Sequence, residues 1–106
     1  MVEEVTDKTI QKFTEKGISV IDVYANWCPY CEILSPVLEE IAKELPRARF
    51  GKLNSDENPK TPQEYQVDLV PTLLVYRDGK LTGKVLGTGS KEEIEKKLEK
   101  YLRPDK

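Results

Sequence analysis

The sequence predicts an α/β domain whose central mixed β-sheet is covered by helices on both faces. Three observations support this prediction. The run from Ile18 to Ala25 is almost entirely apolar, rich in β-branched residues and too short for a helix, which suits a strand buried on both faces. Apolar residues then recur at helical spacing from Pro29 to Leu45. Finally, Asp78-Gly79 is a hairpin signal between two further strands, so the predicted order is β-α-β-α-β-α-β-β-α.

Length and charge define the general class of the protein. A chain of 106 residues can bury about 60 to 70 percent of its unfolded surface in one core, and no linker or repeat divides it. We therefore expect residues 1–106 to form a single domain, working as a monomer. Lys+Arg 17 against Asp+Glu 19 gives a net charge of -2, so no cationic surface is available for nucleic acid or anionic lipid. We expect neither as a partner.

The amino terminus and the composition suggest where the protein works. The first residues are acidic and lack an apolar stretch, so we expect no signal peptide, no transmembrane span and a cytoplasmic location. Charged residues make up 34% of the chain, histidine is absent, and Asn and Gln are scarce. This composition is typical of a thermophile.

The first elements are short. A marginal strand is predicted at Val2 to Val5. The segment after Thr6 is predicted as a short helix with Thr6 as its N-cap and Gly17 just past its end. Ile10 and Phe13 would share the apolar face of that helix.

The long helix that follows the buried strand has the most regular pattern. Pro36 falls inside it and removes one backbone hydrogen bond. The residues predicted to form its apolar side are Ile33, Leu34, Val37, Leu38, Ile41, Ala42 and Leu45.

The second half of the chain supplies the remaining elements. Arg49 to Leu53 is predicted as a strand and Asn58 to Tyr65 as a short irregular helix. Thr72 to Tyr76 and Leu81 to Leu86 are the strands of the hairpin. The stretch from Ser90 to Glu93 is a capping box that opens the last helix. The apolar residues of that helix are Ile94, Leu98, Tyr101 and Leu102.

The two cysteines, Cys28 and Cys31, are the sharpest feature of the sequence. They lie where the buried strand ends and the long helix begins. Unpaired backbone N–H groups and the helix dipole stabilise a thiolate in the first turn of a helix. One helical turn brings Cys31 back beneath Cys28, within reach of a disulfide but deeper. We predict a redox dithiol in which Cys28 is the nucleophile and Cys31 the resolving thiol.

Three other interpretations of the cysteine pair are possible. A structural disulfide would close only a four-residue loop, worth about 2 kcal/mol, and would be reduced in the cytosol. A metal site needs about four ligands, and without histidine the metal would have to bridge two copies in a non-enzymatic dimer. Two unrelated thiols are disfavoured by the flanking Trp27 and Pro29. A redox dithiol is preferred, and it requires no metal or bound cofactor because the sulfurs carry the electrons.

Beyond the cysteines, the chain resembles the thioredoxin family from about Asp7 to Leu102. The resemblance implies a thioredoxin fold, with the redox pair at the start of the second helix and a cis peptide bond between Val70 and Pro71. It also implies a protein disulfide reductase that acts on disulfide-containing client proteins. The residues that carry the resemblance are Asp22-Val23-Tyr24-Ala25-Asn26-Trp27-Cys28, Cys31, Pro36, Lys52, Val70-Pro71-Thr72, Asp78-Gly79 and Gly87.

Two charged residues matched by the resemblance are candidates for proton transfer. Asp22 lies within an apolar strand, where burial should raise its pKa and make it a proton acceptor for Cys31 through water. Lys52 would limit the cost of the buried charge. The alternatives are an exposed carboxylate at a strand edge and a solvated lysine.

A further group of matched residues is expected to bind clients. Trp27 and Tyr30 would form an apolar platform for the client backbone. The Val70 backbone, next to a cis Pro71, would pair with an extended client segment, and Gly87 would let that segment approach closely. Core aromatics, an ordinary turn and a turn glycine are the alternatives. The candidate client-binding residues are Trp27, Pro29, Tyr30, Val70, Pro71 and Gly87.

The dipeptide between the cysteines departs from the family pattern. Thioredoxins typically carry Gly-Pro there, whereas Pro29-Tyr30 is the pair associated with glutaredoxins. Where glutaredoxins usually have a Gly-Gly-Asp region, this chain reads Gly87-Thr88-Gly89-Ser90. The remaining matches favour the thioredoxin type, and a glutathione-coupled, glutaredoxin-like oxidoreductase is the alternative. The expected electron donor is a thioredoxin reductase or glutathione.

Overall fold

The computed structural model describes residues 2–103, which form five strands and four helices in the predicted order. The strands are β1 (Val2–Val5), β2 (Ile18–Tyr24), β3 (Ala48–Asn54), β4 (Thr72–Arg77) and β5 (Lys80–Leu86). The helices are α1 (Ile10–Thr14), α2 (Pro29–Glu44), α3 (Lys60–Glu64) and α4 (Lys91–Glu99).

The strands form one mixed sheet with the order β1-β3-β2-β4-β5. The first three strands of that order are parallel to one another, β4 is antiparallel to β2, and β5 is antiparallel to β4. Strand β2 is therefore hydrogen-bonded on both sides, and it is buried from Ile18 to Val23. This position explains why its sequence is a nearly unbroken apolar run.

Each face of the sheet has its own hydrophobic core. On one face, Val20 of β2 packs with Leu38 of α2 and Ile94 of α4. On the other face, Ile21 of β2 packs with Phe13 of α1. The alternation of neighbouring β2 residues between the two cores is the two-residue period of a strand. The predicted sheet covered by helices on both faces is confirmed.

The predicted hairpin and capping box are confirmed. Asp78 and Gly79 adopt φ values of 53° and 87°, as a two-residue type I′ turn requires. The Asp78 carboxylate also accepts a hydrogen bond from the Gly17 N–H at 2.8 Å. At the start of α4, the Ser90 hydroxyl accepts from the Glu93 N–H, and the Glu93 carboxylate accepts from the Ser90 N–H.

The predicted start of the first helix is wrong. Helix α1 begins at Ile10 with Thr9 at its N-cap. The Thr6 hydroxyl instead accepts hydrogen bonds from the backbone N–H groups of Lys8 and Thr9, both at 3.2 Å. The Thr6 carbonyl oxygen also accepts a hydrogen bond from the Ile10 N–H at 2.9 Å. Thr6 therefore caps the turn that leads into α1, although the regular helix starts later than predicted.

Candidate functional site

The junction between β2 and α2 positions the nucleophile candidate. Cys28 is the N-cap of α2, and Pro29 follows in the first turn. The Cys28 Sγ accepts a hydrogen bond from the Cys31 N–H at 3.2 Å, in the place where an N-cap oxygen usually lies. The same N–H also donates to the Cys28 carbonyl oxygen at 3.1 Å. A negative charge on the sulfur is therefore stabilised by a shared N–H and by the helix dipole.

Both cysteines are free thiols that lie close together. The sequence predicts that Cys31 lies deeper than Cys28. In the structure Cys28 is 4% exposed and Cys31 is 6% exposed, so Cys31 is not the less exposed of the two. Hydrogen bonding distinguishes them instead. The Cys28 thiol also donates to the Val70 carbonyl oxygen at 3.7 Å.

The resolving candidate has a strongly perturbed thiol. Burial, the hydrogen bond with Cys28 and the nearby carboxylate of Asp22 hold the pKa of Cys31 well above its ordinary value. Cys31 is therefore a neutral thiol at physiological pH. It can act as a nucleophile only after it loses its proton, so a neighbouring group that accepts this proton would speed the attack.

Asp22 is suitably placed to be that group. It is buried in β2, its Oδ1 has no hydrogen-bond partner among the residues the structure describes, and burial raises its pKa to about 7. Asp22 and Cys31 line the same cleft, whose volume is about 180 Å³. That space has room for several water molecules, so a water-mediated proton path between the two residues is sterically possible.

Lys52 lies beside Asp22 in the sheet but forms no ion pair with it. The two residues are Cα partners between β3 and β2. Within residues 2–103, no ion pair within 4.0 Å joins Lys52 to Asp22. The Lys52 Nζ lies 5.8 Å from the centre of the Tyr24 ring. Lys52 thus lowers the pKa of Asp22 through space, against the larger effect of burial.

An exposed apolar surface surrounds the buried cysteines. The side chains of Trp27 and Tyr30 are 70% and 62% exposed, and Pro29 between the cysteines is exposed as well. They are not core aromatics. An exposed group of large apolar side chains is typical of a surface that binds another protein.

Two residues of this exposed kind were not chosen from the sequence. Ile33 was assigned to the apolar side of the long helix, but it is 63% exposed, so that assignment is wrong. Leu69, next to Val70, is 64% exposed. A helical projection centred on the buried Leu34 and Leu38 would have placed Ile33 outside the core face, whereas no sequence pattern marks Leu69.

The loop before β4 approaches the cysteines from the other side. The peptide bond between Val70 and Pro71 is cis, as the resemblance implied. Among the residues that the structure describes, the Val70 N–H donates to no protein acceptor. This donor is therefore free to pair with another chain.

Gly87 packs against this loop at Pro71. Its N–H donates to the Pro71 carbonyl oxygen at 2.8 Å, and Gly87 itself is buried. A Cβ at this position would lie 2.8 Å from Leu34 Cδ2 and 3.2 Å from Pro71 Cγ. The close approach that requires glycine is thus to Leu34 and Pro71 of this chain.

Residues 2–103 show neither a metal-binding cluster nor a membrane-spanning helix. Within this range, no three His, Cys, Asp or Glu side chains are grouped so as to hold a metal ion in one chain. None of the helices described there is long and apolar enough to cross a membrane.

Known proteins resemble this chain over nearly all of its length. The family model described as Thioredoxin matches residues 1–100. A thioredoxin from Listeria monocytogenes is 40% identical over 103 residues, which cover 96% of this chain and 100% of that protein. A thioredoxin from Staphylococcus aureus strain Mu50 is 39% identical over 102 residues, 95% of this chain and 98% of that protein. A thioredoxin from Chlamydia pneumoniae is 36% identical over 101 residues, which cover 95% of this chain and 99% of that protein.

These matches agree with the fold and with the cysteine spacing. They support protein disulfide reduction, a thiol-disulfide oxidoreductase activity, and do not favour the glutaredoxin alternative. Three findings agree with one another. The sheet is mixed and five-stranded, the dithiol lies at the start of α2, and the family model matches residues 1–100. The chain belongs to the thioredoxin family.

Proposed function

We propose that Cys28 attacks a disulfide of a client protein and that Cys31 completes its reduction. The Cys28 thiolate forms a mixed disulfide with one client sulfur and releases the other as a thiolate. Deprotonated Cys31 then attacks the Cys28 sulfur, releases the second client thiol and leaves a Cys28-Cys31 disulfide. Two electrons pass to the client, so the step requires no bound metal or organic cofactor. One observation carries this proposal: the Cys28 sulfur lies at the N-cap of α2 and accepts a hydrogen bond from the Cys31 N–H.

Asp22 would remove the proton of Cys31. A carboxyl with a pKa of about 7 is divided between its two protonation states near neutral pH, which suits a proton acceptor. The cleft shared by Asp22 and Cys31 supplies room for the connecting water. Lys52 would assist by limiting the cost of the Asp22 charge without a direct ion pair.

Clients would bind across the exposed surface around Cys28. Trp27, Pro29 and Tyr30 offer apolar contact, and the unpaired Val70 N–H offers a backbone hydrogen bond. An extended client segment could use both, as in strand addition. Pro71 would hold the Val70 backbone in place, and Gly87 would act indirectly, by letting Pro71 pack closely.

The remaining parts of the proposal concern the setting of the reaction. The clients are disulfide-containing proteins, and a thioredoxin reductase recharges the dithiol. We propose that the protein works as a monomer in a reducing cytoplasm, because an oxidising compartment would keep the pair as a disulfide. A thermophilic source stays a prediction from composition.

A competition between electron donors tests this function. The oxidised protein is incubated with a thioredoxin reductase and NADPH, or with glutathione and glutathione reductase, and the reduction of a disulfide-containing client is followed. We expect the thioredoxin reductase to support the faster turnover. A rate that depends only on glutathione would contradict the proposed donor.

The reduction potential should reflect the Pro29-Tyr30 dipeptide. Potentials run from about -270 mV for thioredoxin to about -200 mV for glutaredoxins, a span of roughly 3 kcal/mol for a two-electron couple. We expect an intermediate value, with the double variant Pro29→Gly, Tyr30→Pro shifted to a more negative potential. Equilibration with a glutathione or dithiothreitol buffer measures both. A native value at or below about -270 mV would show that the dipeptide does not set the potential.

A further inference from the structure

Three charged residues lie in a row across the parallel strands of the sheet. Glu4 of β1 and Lys52 of β3 are Cα partners, and Lys52 is in turn the partner of Asp22 on β2. Paired residues project to the same face of a sheet. Lys52 is therefore located between two carboxylates, and at the usual strand spacing Glu4 is about 10 Å from Asp22.

A hydrogen bond links Glu4 to this row. The Tyr24 hydroxyl donates to the Glu4 carboxylate, Oε2, at 2.9 Å. Tyr24 follows Asp22 by two residues on β2, so it lies on the same face, and its ring is the one that faces the Lys52 Nζ at 5.8 Å. Burial and the Glu4 carboxylate raise the pKa of the Tyr24 hydroxyl to about 12. The donor is thus protonated throughout the physiological range.

Lys52 is bound tightly to neither acid. Within residues 2–103, it forms no ion pair within 4.0 Å with Glu4 or Asp22. Lys52 is half-buried, and its ammonium group interacts with both carboxylates at longer range. Any change in one carboxylate alters what Lys52 contributes to the other.

We propose that Glu4 is a positioning residue of the proton relay, whose charge competes with Asp22 for Lys52 and sets the pH at which Asp22 takes up the Cys31 proton. This inference rests on the proposed role of Asp22. The electrostatics agree in sign, because Lys52 lowers the pKa of Asp22 while Glu4 raises it. Glu4 thus offsets part of the stabilisation that Lys52 gives to the buried carboxylate.

The other groups around Asp22 do not replace Glu4 in this role. Cys31 and Glu32 of α2 line the same cleft, and Cys31 is the proposed proton donor. On its β4 side Asp22 pairs with Leu73, which carries no charge. Glu32 is the remaining acid that lines the cleft, and it is on the helix rather than in the row that contains Lys52.

Replacing Glu4 by glutamine tests the proposal. Glu4→Gln removes the charge at nearly constant shape, so the titration midpoint of Asp22 should fall. Two unit charges about 10 Å apart in a medium of dielectric about 40 to 80 give a shift of roughly 0.3 to 0.6 pH units. The midpoint is measured by NMR of the Asp22 carboxyl carbon in the reduced protein. The shift should shrink in high salt, because 10 Å is about the Debye length at 0.1 M.

Glu3→Gln is the matched control. Glu3 is on the same strand and has the same charge, but it pairs with Gly51 and projects to the opposite face. We expect its effect to be less than half that of Glu4→Gln, and Glu4→Asp to restore most of the native midpoint. Equal shifts in Glu3→Gln and Glu4→Gln, or no shift in either, would overturn the proposal.

A kinetic measurement separates this inference from the function on which it rests. The rate at which Cys31 resolves a preformed mixed disulfide is followed against pH. We expect the acidic limb of the profile to move with the Asp22 midpoint in Glu4→Gln. If the midpoint moves and the profile does not, Glu4 acts on a carboxyl outside the relay, and Asp22 is then not the proton acceptor.

Discussion

Replacing Cys28 by serine should reduce disulfide reduction to the uncatalysed background, whereas Cys31→Ser should react once and then accumulate as a mixed disulfide with the client. The difference follows from the site. The Cys28 sulfur is stabilised at the helix N-terminus by the Cys31 N–H, while burial keeps Cys31 a neutral thiol. Without Cys31, no thiol is left to resolve the adduct. Non-reducing electrophoresis and mass spectrometry of the trapped species measure this outcome.

The two serine variants control for each other, because both remove one buried sulfur from the same cluster. Circular dichroism should show that each variant is folded. Equal amounts of adduct from Cys28→Ser and Cys31→Ser would remove the assignment of roles. Adducts from Cys28→Ser alone would reverse it.

Asp22→Asn should stabilise the folded protein and, at the same time, slow its resolution of mixed disulfides. The pKa of Asp22 is about 7 in the fold, against an ordinary value of 3.8. Between these values the folded state binds a proton that the unfolded state does not, so its stability falls as pH rises from about 4 to about 7. Asparagine carries no such charge. We expect Asp22→Asn to be about 2 to 4 kcal/mol more stable than the native chain above pH 7, with the gap closing towards pH 4.

Chemical denaturation at pH 4, 5.5, 7 and 8 measures this dependence. Asp68→Asn is the matched control, because Asp68 is an exposed acid of the same residue type, and its stability difference should stay small at every pH. Resolution of mixed disulfides by Asp22→Asn should also be slower near neutral pH. Unchanged stability and unchanged rates would show that Asp22 is neither a costly buried charge nor a proton acceptor.

Features with a local cause were predictable from the sequence. The hairpin at Asp78-Gly79 and the capping box at Ser90 depend on a few adjacent residues, and both form as expected. The placement of Cys28 at a helix start depended on one sharp boundary between an apolar run and a helical pattern. Such signals survive folding because no distant contact competes with them.

Features that depend on distant contacts were not predictable. Leu69 is an apolar residue, yet it is 64% exposed next to Val70, and no sequence pattern marks this exposure. Gly87 requires glycine because of Leu34 and Pro71, which are remote in sequence. Glu4 joins the site only through the register of β1 against β3, which no single-strand pattern reveals.

The central claim is that one chain reduces one client disulfide with its own two thiols. It is tested most directly by mixing the fully reduced protein with an equimolar client that contains a single disulfide, then mapping all cysteines by mass spectrometry after alkylation. We expect one client disulfide reduced per chain and an intramolecular bond between Cys28 and Cys31. A product in which two chains are joined through their cysteines, or in which Cys28 and Cys31 stay reduced while the client is reduced, would contradict it.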